Sequence, residues 1–126
     1  MPERRVEIVD EDGRITITED VIASIARIAA ERVDGIAHSS TSPGGLQRIF
    51  GGEDLAPNIK AELADGAVRL ELRIAVEYGY PVHEVASAVQ QNVQNDVERL
   101  SGVIVSSVNV NVKKVVPPHT HESGES

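Results

Sequence analysis

The sequence predicts an α+β fold: one domain in β-α-β-β-α-β order, with two helices packed on one face of a four-stranded mixed sheet. Three observations carry this expectation. Asp65-Gly66 sits between two alternating runs, the pattern of a tight hairpin. Two stretches, near 19–34 and 82–100, repeat apolar residues at three- and four-residue spacing, as amphipathic helices do. From Ser106 to Lys113, Val108, Val110 and Val112 alternate with Ser107, Asn109, Asn111 and Lys113, the period-2 signature of a sheet with one buried face. A chain of 126 residues fits one domain and can bury a core without disulfides or metals.

Taken in order, residues 1–13 are charged and close on Asp10-Glu11-Asp12-Gly13, so they read as a flexible charged segment, mobile or at an edge. The domain proper is expected over 14–116. Ile15 and Ile17 alternate with Thr16 and Thr18 in a short strand. Thr18 suits an N-cap, with Glu19 and Asp20 in the first turn where the helix dipole favours acids. Val21, Ile22, Ile25, Ile28, Ala29 and Val33 then line one face of a helix over 19–34, closed by Gly35.

The stretch 37–57 is too long and too rich in Ser, Pro and Gly for an ordinary connection. Within it Leu46, Ile49 and Phe50, beside Arg48, form a short apolar cluster. Two roles are open to it: docking a partner or a second copy, or capping the domain's own core. At the Asp65-Gly66 turn, pairing Ala64 with Ala67 places Glu62 opposite Arg69 and Lys60 opposite Glu71, while Leu63, Ala61 and Ile59 meet Val68, Leu70 and Leu72. After Tyr78-Gly79-Tyr80-Pro81 the second helix carries Val82, Val85, Ala86, Val89, Val93, Val97 and Leu100 on one stripe and stops at Gly102. Residues 117–126 lack apolar periodicity and are expected to be disordered.

Composition narrows the function classes. There is no cysteine, which removes disulfides, thiolate metal sites and thiol catalysis, and makes a cytoplasmic location the default expectation. The start of the chain does not read as a secretory signal and no segment approaches a membrane span, so any membrane link is expected through a partner. A formal net charge of −8, scattered basic residues and only three aromatics, Phe50, Tyr78 and Tyr80, argue against nucleic-acid binding.

No motif carries chemistry. His38 and His83 stand alone, and His119-Thr120-His121-Glu122 offers two imidazoles on a flexible tail, a poor metal cage. Asp10-Glu11-Asp12-Gly13 fails the calcium-loop spacing, and the Gly44-Gly45 and Gly51-Gly52 pairs lack the Lys-Ser/Thr ending of a phosphate loop. The expectation is no catalytic residue, no metal and no cofactor. A second candidate surface is the edge strand Val108–Val116, where Val110 and Val112 lie on an open strand and Lys113 and Lys114 limit uncontrolled pairing.

Gly13-Arg14-Ile15-Thr16-Ile17-Thr18-Glu19-Asp20-Val21-Ile22 leading to Val33-Asp34-Gly35-Ile36, then Val76-Glu77-Tyr78-Gly79, and finally Ser101-Gly102-Val103 with Val108-Asn109-Val110-Asn111-Val112 resemble the bacterial alkaline shock protein family, also called the envelope stress response family. The resemblance spans about residues 13–116. It implies a non-enzymatic, acidic cytoplasmic protein that self-associates into homo-oligomers and is held near the membrane by a small membrane-anchored partner. It supplies no catalytic residues. From a different class, a small RNA-binding α+β domain is the alternative, since a sheet with helices on one face is a common RNA platform. The chain lacks both the surface aromatics and the glycine-flanked basic loop such platforms use.

Overall fold

Alternation in the strands and caps on the helices give a defined order of elements in the structure, a computed structural model that describes residues 5–37 and 55–117. The elements are β1 (Arg5–Asp10), β2 (Gly13–Thr18), α1 (Glu19–Glu31), β3 (Ile36–Ala37), β4 (Asn58–Ala64), β5 (Ala67–Glu77), α2 (Val82–Ser101) and β6 (Ile104–Val116).

The Asp65-Gly66 turn sets the main sheet. Both residues take positive φ, 54° and 78°, as a two-residue type I′ turn requires, and the strands then pair from Ala64↔Ala67 to Asn58↔Arg73 in the register that charge pairing predicts. β5 lies at the centre of four strands. β6 runs parallel along one of its edges, and antiparallel β4 and β3 share the other, at 67–73 and 75–76 of β5. Side chains alternate across the sheet, so Val68, Leu70, Leu72, Ile74 and Val76 all point to one side, where each is 0% exposed. Ile22, Ala26, Ala29 and Ala30 of α1, with Val85, Val89, Val93 and Val97 of α2, complete that core. Among the described residues no polar or charged side chain is buried, so area and shape alone hold it together.

The α+β class, the two helices and the four-stranded mixed sheet stand as expected, but the strand set differs. Ile15 and Ile17 do not join the main sheet. They form β2, which pairs with β1 in a separate antiparallel hairpin, Val6 opposite Ile17 and Ile8 opposite Ile15. Residues 5–13, expected as a charged segment mobile or at an edge, form β1 and its turn: Val6 and Ile8 alternate as Ile15 and Ile17 do, and Glu11-Asp12 turns the chain, with the Asp12 N–H donating to Asp10 Oδ1 at 2.9 Å. The fourth strand of the main sheet is β3, two residues long.

α1 also stops earlier than its periodicity suggests. It ends at Glu31, after which the Arg32 and Val33 N–H groups bond three residues back to Ala29 and Ala30. The chain then turns at Gly35, whose φ of +95° brings its O to the Glu77 N–H at 2.8 Å. A Cβ at Gly35 would stand 2.8 Å from Tyr80 Cγ and 2.9 Å from Val85 Cγ2, so this glycine is required by conformation and by space. α2 ends as expected, with Gly102 left-handed at φ 77° and its N–H on Glu98 O at 3.0 Å.

Gly35→Ala is expected to lower the unfolding free energy by about 2 kcal/mol or more, from strain and overpacking together. Urea unfolding checks this. Adding Tyr80→Ala should recover part of the loss, because the ring is half of the collision.

Candidate interaction surface

Among the described residues no three or more His, Asp or Glu side chains converge as a metal would need. His83 is exposed in the first turn of α2. Open hollows of about 650, 460 and 160 Å³ lie beside β1 and the Asp65-Gly66 turn, between α1 and the start of β4, and on the helix-free face of the sheet at Lys60, Glu62, Arg69, Glu71 and Asn109. What the surface presents is strand edges and faces, so the site is built from those.

The predicted residues Val110, Val112, Lys113 and Lys114 fall together on β6, which pairs with β5 alone and leaves its outer side as an edge. α2 hangs over the first half of that edge. Gln90 Nε2 donates to Val108 O at 2.9 Å, and the Val105 N–H donates to Glu98 Oε2 at 3.0 Å. Backbone groups alternate sides along a strand, so Val110 and Val112 turn theirs outward as Val108 does. Their half-buried side chains pack on the core. The register slips by one residue at Ser106 and again at Lys113, and such bulges interrupt an edge for an incoming strand. Lys113 thus sits at an irregularity, not within a smooth edge. Leu46, Arg48, Ile49 and Phe50 lie outside the described residues.

β4 has a similar device on the opposite side of the sheet. Ala64↔Ala67 closes the turn, so the backbone groups of Ile59, Ala61 and Leu63 face away from β5. Glu19, in the first turn of α1, takes the Leu63 N–H on Oε2 at 3.0 Å. Three helix side chains, Glu19, Gln90 and Glu98, therefore stand in for missing strands.

The β1–β2 hairpin is the feature that sequence reasoning missed as a unit. Its signal was present: Val6-x-Ile8 mirrors Ile15-x-Ile17 about the Glu11-Asp12 turn. One hairpin face is apolar. Val6 and Ile17 pack against the core, but Ile8 and Ile15, directly opposite each other, stay 41% and 55% exposed. The other face is charged, with Glu7 between Arg5 at 3.1 Å and Arg14 at 3.9 Å.

The helix-free sheet face carries Lys60 and Glu62, then Arg69, Glu71 and Arg73, then Ser107, Asn109 and Asn111 in adjacent rows. Arg69 reaches Glu62 at 3.5 Å, and charges of both signs alternate. No aromatic ring stands on these rows; Tyr78 and Tyr80, 72% and 42% exposed, lie beyond the end of β5.

Glu98→Ala is expected to cost about 1 kcal/mol by leaving the Val105 N–H without its acceptor. Glu98→Gln, which keeps an acceptor oxygen, should recover most of it, measured as the shift in urea midpoint at constant m-value.

Comparison with known proteins bears on what such a domain serves. The chain is 28% identical over 102 residues to YqhY of Bacillus subtilis (strain 168), covering 79% of this chain and 75% of that protein. It is 30% identical over 113 residues to YloU of the same strain, covering 87% and 94%. A stress response regulator gls24 homolog of Streptococcus pyogenes is 28% identical over 119 residues, covering 90% of this chain and 63% of that one. The fold is shared with solved structures of the MamM CTD, one at TM-score 0.52 and 19% identity over 75% of this chain and 90% of that chain, and a copper form at 0.51 and 18% over 84% and 96%. The profile of the alkaline shock protein 23 family, described by its cell envelope-related function, matches residues 7–117. With that match spanning nearly every described residue, the chain belongs to the alkaline shock protein 23 family, as its sequence resemblance implied.

Proposed function

We propose that this protein is a non-enzymatic scaffold or adaptor of the cell-envelope stress response, one that self-associates and is held at the cytoplasmic side of the membrane by a membrane-anchored protein partner. The family ties the chain to the envelope, and the Streptococcus relative ties its kind to stress. The observation that carries the binding role is the hairpin's apolar face, which runs from the core out to Ile8 and Ile15 at the surface. Exposed β-branched pairs of this kind suit association. Among the described residues no helix is long and apolar enough to cross a membrane, so in this reading the partner supplies the attachment.

The helix-free face does not favour RNA: its arginines are interleaved with glutamates and no ring stands among them for a base to stack on.

The expected outcome in native cells is recovery with the membrane fraction, released by detergent together with a membrane protein that crosslinks to it. Light scattering should show mass rising with concentration. A protein that stays monomeric at high concentration and never enters the membrane fraction would refute the reading, and salt-sensitive RNA binding would replace it.

A further inference from the structure

We infer that the outer edge of β2 is the self-association element, pairing antiparallel with β2 of a second copy about a two-fold axis through Thr16. The inference rests on the self-association reading and names the surface for it. Among the described residues β1, β2, β4 and β6 each leave a long edge open, beside the two-residue edge of β3, and three of the four long ones are guarded. β6 is capped by Gln90 and Glu98 and then broken by the bulge at Lys113. β4 lies beside α1 with Glu19 on its Leu63 N–H. β1 carries Glu7 on its outer side, held by Arg5 and Arg14, so pairing β1 with its own copy about Glu7 sets two carboxylates face to face.

β2 has none of these devices. Asp10↔Gly13 closes the hairpin, so Ile8↔Ile15 and Val6↔Ile17 are the hydrogen-bonded pairs inside it. The backbone groups of Arg14 and Thr16, with the N–H of Thr18, therefore point outward, away from β1, while the Thr18 C=O turns into α1 as its N-cap. No described hydrogen bond reaches those of Arg14 or Thr16. The segment Ile15-Thr16-Ile17-Thr18 is β-branched and uncharged, the kind of edge that recruits another strand.

The register follows from side-chain chemistry. Centring the pair on Thr16 sets Thr16 against Thr16 of the copy, Ile15 against its Ile17, and Arg14 against its Thr18. No like charges meet, and every isoleucine faces an isoleucine. Centring on Ile15 instead leaves Ile17 opposite Gly13, with no side chain to pack on. The result is a four-stranded sheet, β1-β2-β2-β1, whose apolar face joins Val6, Ile8, Ile15 and Ile17 from each copy. A two-fold contact of this kind is self-limiting, so its product is a dimer.

The chain has no cysteine, so one introduced thiol reports on the register. In the Thr16→Cys variant the two sulfurs face each other across the axis at a backbone separation of about 5.5 Å, within disulfide reach. Mild oxidation at a concentration where the wild-type protein associates should give a crosslinked dimer, and a Glu7→Cys variant should crosslink far more slowly. Thr16→Pro removes only an outward N–H, so the hairpin and the thermal midpoint should hold. The dimer dissociation constant by sedimentation velocity should rise about tenfold or more. Thr16→Lys, a substitution that leaves the backbone intact, should weaken association and recover in high salt, since two ammonium groups then face each other.

Wild-type protein that never associates overturns the self-association reading itself. Wild-type protein that associates while Thr16→Pro and Thr16→Lys do so equally well, or faster crosslinking of Glu7→Cys than of Thr16→Cys, overturns the β2 edge alone.

Discussion

The whole domain depends on β5 being enclosed on three sides. Its edges are taken by β6 and by β4 with β3, and its even-numbered side chains lie under both helices. A strand buried this way needs a partner for each backbone group and an apolar neighbour for each inward side chain. Val68, Leu70, Leu72, Ile74 and Val76 meet the second demand with no polar atom among them, and the ladders meet the first. Shape rather than polar networks then specifies the packing, and α1 contributes the small buried residues Ala26, Ala29 and Ala30 to it.

Enclosing β5 transfers the difficulty outward, because a sheet that satisfies its centre must end somewhere. α2 deals with this twice. As the crossover between parallel β5 and β6 it covers the core, and its Gln90 and Glu98 reach past that core to the backbone of β6. Glu19 does the same for β4 from the first turn of α1, where the helix dipole already favours a carboxylate. The helices thus serve as both core and edge guard. The hairpin, projecting from the N-terminus of α1, has no helix of its own, and its edge is left as the sequence made it.

How much of this was legible depends on how local the cause is. The β4–β5 register was readable because turn geometry, charge pairs and apolar pairs at Asp65-Gly66 agree without reference to the rest of the chain. The second helix and β6 were readable for the same reason. The end of α1 was not, since Gly35 is fixed by the ring of Tyr80, far along the chain. β3 is only Ile36-Ala37, too short for any period, and exists because β5 outruns β4 and offers the place. The hairpin was obscured by charge: Arg5, Glu7 and Asp10 read as a solvated segment, although the structure gathers Glu7 with Arg5 and Arg14 on one face and leaves the other apolar. Val110, Val112, Lys113 and Lys114 were legible as residues of one edge strand, but the side chains that blunt that edge come from α2, and nothing in the strand's own sequence announces them.

That distribution of guarded and unguarded edges bears on how strongly such a domain can assemble. Each copy carries a formal charge of −8, so two copies repel, and salt at physiological ionic strength screens that repulsion beyond about 8 Å. A contact made through charged side chains would lose its attraction under the same conditions. The outer edge of β2 offers backbone groups and isoleucines, whose attraction salt does not screen. Raising the ionic strength then strengthens association, the opposite of a nucleic-acid contact, where salt competes with the bound phosphates. The inferred pairing of one short strand would also be narrow beside the roughly 800 Å² per partner of a stable complex, so it would hold where copies are concentrated and let go where they are dilute. In the proposed reading a membrane partner gathers the copies, and the local concentration it sets is the variable that would turn a monomer into an assembly.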